Sequence, residues 1–168
     1  QNIEDAEIYV ETDLSNLLED FESYKNFNKW AKTSCTKSFQ NYLDAKFITY
    51  KQGIVEIKNH RLFLFEVSGT YLLELEMKKK NPEYVKILYA SAFYAGQNVL
   101  SQFAKDIGEL FQILSALGWG EVLLFSSSDK QVKVLINHFP WSKWYSDIEF
   151  TIIRGFLSGI FTANKGKN

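Results

Sequence analysis

Residues 81–104 read NPEYVKILYASAFYAGQNVLSQFA, a stretch that admits one secondary structure. Asn81 can cap a helix, and Pro82 suits the first turn because its missing N–H would have no intrahelical acceptor there. Behind them Val85, Leu88, Tyr89, Ala92, Phe93, Gly96, Val99, Leu100 and Phe103 recur at spacings of three and four. That is one apolar face about six turns long at 3.6 residues per turn. Ala92 and Gly96, four apart on it, let another element approach the backbone closely. The spacing predicts a central core helix. It holds no nucleophile with a base and no ligand cluster, so it defines a fold and no reaction.

A chain of 168 residues suits one domain, and 46% hydrophobic against 23% charged residues places it in the globular range. Fourteen Phe and nine Tyr supply surplus ring volume, which serves either packed layers or a ring-lined pocket. No apolar run reaches the length of a bilayer span, and no secretory signal is present. The single Cys35 excludes an internal disulfide and a zinc site built from cysteines. A cytoplasmic chain without a transmembrane segment is expected.

The net charge of −1 conceals an asymmetry. Residues 1–24 hold eight acids and no Lys or Arg, which leaves twelve acids against all 19 bases in the remainder. A solvated acidic leader is the expected reading, and folding back on a basic face is the alternative. Thr12 or Asp13 can cap a helix with Leu14, Leu17, Leu18, Phe21 and Tyr24 on one stripe, continued by Phe27, Trp30, Ala31, Phe39, Tyr42 and Leu43, with an irregularity at Thr33-Ser34-Cys35-Thr36. Cys35 reads as a buried or inert thiol.

From Lys46 the period changes from helix to strand. Phe47 to Tyr50, Ile54 to Ile57 and Leu62 to Phe65 are short β-type runs, broken by turns at Gln52-Gly53 and at Lys58-Asn59-His60. His60 is expected in solvent, with no second ligand near it. Ser68 can cap a short helix bearing Tyr71, Leu72 and Leu75 and ending in Lys78-Lys79-Lys80. Cations suit a helix C-terminus, so that run implies no nucleic-acid contact.

After the central helix, Ile107, Leu110, Phe111, Leu114 and Leu117 form a second stripe closed by Gly118 as a left-handed C-cap. Glu121 to Ser126 and Gln131 to Asn137 read as a hairpin. An aromatic loop with Trp141 and Trp144 follows, then the capping box Ser146-Asp147-Ile148-Glu149. The last helix carries Ile148, Ile152, Ile153, Phe156, Leu157 and Ile160. Gly155 and Gly159, four apart inside it, predict close contact with another helix, since each costs roughly 1 kcal/mol against Ala. Residues 165–168 are a polar tail.

The Tyr94-Ala95-Gly96 segment, the Leu117-Gly118-Trp119-Gly120 step into a strand, and Arg154-Gly155-Phe156-Leu157-Ser158-Gly159 together resemble the 4-vinyl reductase-type small-molecule-binding domain. That family is kin to the vesicle-tethering subunits of the TRAPP complex, and the resemblance covers roughly residues 53–163. It implies an α/β (α+β) fold in which two β-hairpins pack with a helical layer around a long central helix, as in NO-signalling and Golgi-transport ligand-binding domains. Residues 1–50 would form a helical N-terminal extension, with the ligand-binding domain over 51–164. Many members carry cysteines just before the Arg-Gly-Phe segment, and some hold metal there. Here that stretch is Glu149-Phe150-Thr151-Ile152-Ile153, so no metal or other cofactor is expected.

The resemblance and the aromatic content together imply a dimeric, non-catalytic sensor or regulatory domain for a small hydrophobic ligand, such as the regulatory part of a transcription regulator. The rings expected near its pocket are Tyr89, Phe93, Trp119, Trp141 and Phe156. The alternative is that these rings only pack and the chain is a scaffold module that docks another protein, through the 14–24 helix. An enzyme is not expected. His60 and His138 stand alone, and Asp106 and Glu109 sit where a helix start favours acids. A homodimer is expected because the stripes at 14–24 and 148–160 exceed what one small core needs.

Overall fold

The computed structural model describes residues 5–10, 31–32, 36–62, 67–127, 131–139 and 150–164. They form a mixed α+β fold with two small sheets. In chain order the elements are β1 (Asp5–Val10), β2 (Ala31–Lys32), α1 (Phe39–Asp44), β3 (Ile48–Lys51), β4 (Ile54–Ile57) and β5 (His60–Leu62). Then come α2 (Val67–Lys80), α3 (Glu83–Asn98), a 3₁₀ turn (Leu100–Gln102), α4 (Ile107–Ala116), β6 (Glu121–Ser127), β7 (Gln131–Asn137) and α5 (Thr151–Asn164). The expected helix over 14–24, the capping box at 146–149, Cys35 and Trp141 lie outside the described residues.

The smaller sheet is the three-stranded meander β3-β4-β5. Its turns are those the sequence predicts: Gln52 and Gly53 both stand at positive φ, as do Lys58 and Asn59. Two consecutive left-handed residues give the backbone twist a two-residue hairpin needs. His60 departs from the expectation of a solvent-exposed turn residue. It opens β5, is half-buried, and its ring lies 5.6 Å from that of Phe103. The Lys58 ammonium donates to the Gln102 carbonyl at 2.9 Å, so the same turn is tied to the 3₁₀ segment by a hydrogen bond as well as by the ring contact.

The larger sheet has the order β1-β7-β6-β2. Its middle is the predicted hairpin of β6 and β7, antiparallel with an irregularity between Val122 and Leu124. Residues 5–10, expected as part of a solvated acidic leader, instead run parallel to β7, with Asp5 opposite Gln131 and Val10 opposite Ile136. Ile8, Tyr9 and Val10 favour strands, and β1 closes what would otherwise be an open edge. A strand paired on both sides and covered on both faces reads as a continuous apolar run. Val132, Val134, Leu135 and Ile136 are buried as in such a run, and the charged Lys133 that interrupts it is buried with them.

One core joins the sheets. Tyr42, Ile48 and Ile57 from the meander side meet Phe103, Ile107, Phe111 and Leu114, and these continue into Val134, Ile136, Leu157 and Ile160. The helix at its centre is α5, not α3. The helix over 81–104 starts as predicted, with the Asn81 side chain accepting from Glu83 N at 3.0 Å, but its α-helical part ends at Asn98 and yields to the 3₁₀ turn. Only Ala92 and Gly96 of α3 are buried, against nine residues of α5. The α5 stripe, expected to exceed one core's needs, is therefore covered within the single chain.

Candidate functional site

The helix pair α3 and α5 makes the most extensive contact between elements among the described residues, and small residues make it possible. A Cβ on Gly155 would come within 2.6 Å of the Tyr89 carbonyl and 2.8 Å of the Ala92 Cβ. One on Gly96 would run into the Phe156 carbonyl, and one on Gly159 into the Phe93 carbonyl. The obstructing atoms are mostly backbone and cannot swing aside. The two pairs of small residues read separately from the sequence thus meet each other, and at Gly96, Gly155 and Gly159 the seam has no room for a Cβ.

The expected pocket residues are arranged around that seam. Trp119 and Phe156 come together, with ring centroids 5.5 Å apart at 46°. Tyr89 goes elsewhere: its hydroxyl and the Ser158 hydroxyl lie 2.8 Å apart in a hydrogen bond. At 100° per residue, Phe156 and Ser158 leave α5 on opposite flanks of the glycine line. Phe93 contributes its backbone to the seam, against both Gly155 and Gly159. Trp141 lies outside the described residues. All four described rings stay half-buried, whereas Phe103, Phe111, Phe139 and Phe161 are at most 4% exposed.

Trp119 is placed by local chemistry. Gly118 adopts φ +91, and Trp119 N donates to the Leu114 carbonyl at 3.0 Å while Gly118 N donates to Ser115. This is the Schellman closure, and it aims the following residue back across the end of α4. Asp106 and Glu109 complete the same helix at its start. Asp106 accepts from Glu109 N at 2.8 Å and Glu109 accepts from Lys105 N at 2.8 Å. Both carboxylates are committed to capping.

An open cleft of about 550 Å³ lies at the other end of α4, lined among others by Lys37, Ser38, Phe39, Ser115, Glu121 and His138. None of the five expected ring residues lines it. Among the described residues no group of three or more His, Cys, Asp or Glu side chains is placed to hold a metal ion. No helix is long and apolar enough to cross a membrane, among the described residues.

One polar contact was not foreseen. Glu74 is buried at 3% exposure and accepts from Thr151 N, at the start of α5, at 3.0 Å. Leu72, expected on the inner stripe of α2, is instead 52% exposed. The N-terminal end of a helix carries partial positive charge and unpaired N–H groups, so a carboxylate there is stabilising. Phe150, at φ +50, breaks the helical path just before Thr151, so the cap reaches α5 from a residue 77 positions earlier. The signal was the placement of Glu74 three and one residues from Tyr71 and Leu75, within an apolar stripe.

Compared with protein-family models, with curated proteins and with solved structures, the chain matches none.

Proposed function

We propose that this chain is a cytoplasmic, non-catalytic sensor or regulatory domain of the 4-vinyl reductase type, with a tethering-subunit-like fold, that binds a small hydrophobic molecule. The observation that carries the reading is the Trp119–Phe156 pair. These two large rings pack together at 5.5 Å and yet remain half-buried, in a molecule that buries four other phenylalanines almost completely. A ring pair left partly open beside a close, glycine-lined helix contact offers apolar area to a ligand.

The experiment is a fluorescence titration of the full chain with oleate and with an aromatic hydrocarbon. A ligand against the indole excludes water and shifts its emission to the blue. The shift is expected in the wild type and in Trp141→Phe, and is expected to disappear in Trp119→Phe. A wild type whose emission responds to neither probe would leave Trp119 and Phe156 as packing residues and remove the reading.

A further inference from the structure

The lining of the cleft at the C-terminal end of α4 has two parts of opposite charge. One is the end of α4 with the start of β6, through Ser115, Gly118 and Glu121. The last turn of α4 holds no basic residue, so its carbonyl end keeps a partial negative charge, and the half-buried Glu121 carboxylate adds a full one. The other part is Lys37, Ser38 and Phe39, at the start of α1. Ser38 is taken up in capping α1, bonded to Asn41 through both its N–H and its hydroxyl. That leaves an ammonium, whose described contact is the Tyr42 ring at 5.7 Å, and a phenylalanine ring 37% exposed. His138 completes the lining in a left-handed conformation (φ +54) that residues other than glycine seldom adopt and that recurs at ligand sites.

We propose that this cleft binds a free amino acid with an apolar side chain. Its ammonium lies toward Glu121 and the end of α4, its carboxylate toward Lys37, and its side chain against Phe39. The two charges select the ligand. Lys37 and Glu121 line one cleft, yet neither takes part in an ion pair among the described residues. Opposite charges that share a cleft without meeting are satisfied together by a molecule that carries both signs. An anion alone would meet Glu121 and the α4 carbonyls, and a cation alone would meet Lys37. The volume of about 550 Å³ is that of a small-molecule site, and too small for a folded partner. Neither Trp119 nor Phe156 lines the cleft, so this binding and the oleate response stand or fall separately.

The test is isothermal titration calorimetry of the full chain with L-phenylalanine and with two analogues that each lack one charge, phenethylamine and 3-phenylpropionate. L-Phenylalanine is expected to bind with a Kd below roughly 1 mM. Each analogue is expected to bind at least about tenfold more weakly, because it leaves one charge-assisted contact unmade. Lys37→Gln is expected to bring L-phenylalanine down to the affinity of phenethylamine and to leave phenethylamine itself unchanged. Glu121→Gln is expected to do the same with 3-phenylpropionate. Lys51→Gln, which removes an exposed ammonium on β3 outside the cleft, is expected to leave all three affinities unchanged. No binding of L-phenylalanine up to roughly 10 mM overturns the proposal. So do analogues that bind the wild type as tightly as the amino acid, a comparison that needs no variant to fold. Lys37→Gln and Glu121→Gln chains that both keep the wild-type order of affinities place the ligand elsewhere and overturn it as well.

Discussion

Helices α3 and α5 touch along one line and share one kind of contact, yet they occupy opposite situations. α5 is surrounded: it packs on α3, on β1 and β7, on the 3₁₀ turn and on α4, and nine of its 14 residues are buried. α3 is a surface helix that buries Ala92 and Gly96 and little else. Both present small residues four apart, and on both sides the reason is the same close approach of two backbones. The difference lies in what covers the remaining circumference. Apolar spacing identifies the face a helix turns inward; it does not count the neighbours on the other faces.

The largest expected effect tests the shared seam. In an isolated helix Gly→Ala is favourable by about 1 kcal/mol. Across this seam the sign should invert, because a Cβ on Gly159 or Gly96 meets main-chain atoms of the facing helix. Gly159→Ala and Gly96→Ala are each expected to destabilise by about 3 kcal/mol, the upper part of the overpacking range. Urea denaturation midpoints check it. A raised midpoint in either variant would mean that the helices stand further apart than described.

Next in size is the hold on the N-terminus of α5, which α3 lacks: α3 is capped locally by Asn81, α5 from a distance by Glu74. Glu74→Ala leaves Thr151 N without this acceptor and removes the carboxylate from the positive end of the helix. A loss of about 2 kcal/mol is expected, combining an unmade buried hydrogen bond with the lost charge–dipole interaction. Glu74→Gln keeps an acceptor and should recover about half of that. Equal losses for the two variants, measured by thermal unfolding, would assign the effect to the charge alone.

Much of this was legible in the sequence, and the part that was not has a physical reason. Local signals held: the Asn81-Pro82 start, the Gly118 closure, the two left-handed turns of the meander and the β6–β7 hairpin all depend on neighbours within a few residues. The glycine pairs were legible as contacts but not as contacts with each other, because spacing contains no partner. Long-range features were missed for the same reason. The parallel pairing of residues 5–10 with β7 and the 77-residue reach from Glu74 to Thr151 leave no local pattern beyond an acid in an apolar stripe. Of the candidate site, the pairing of Trp119 with Phe156 could not be foreseen without knowing that the end of α4 comes back over α5. Tyr89 resembles them in sequence as a ring, but the fold uses its hydroxyl, which bonds Ser158.

That hydroxyl gives the smallest effect and the finest test of the seam. Tyr89 and Ser158 make a side-chain hydrogen bond between α3 and α5, at 2.8 Å, with Ser158 at 0% exposure. Tyr89→Phe keeps the ring and removes only the oxygen, leaving the serine hydroxyl buried without that partner. Such a loss is expected to be about 1 kcal/mol, and Ser158→Ala should give a similar value. The double variant separates contact from context. If the two oxygens act chiefly on each other, removing both should cost no more than removing one, with a coupling of about 1 kcal/mol. Strictly additive losses would mean that the hydroxyls are held by other groups and that the glycines alone set the helix approach. Oleate titration of Tyr89→Phe then divides the ring residues by role: the variant should keep the emission shift that Trp119→Phe loses, since Tyr89 reaches Ser158 on the flank of α5 opposite Phe156.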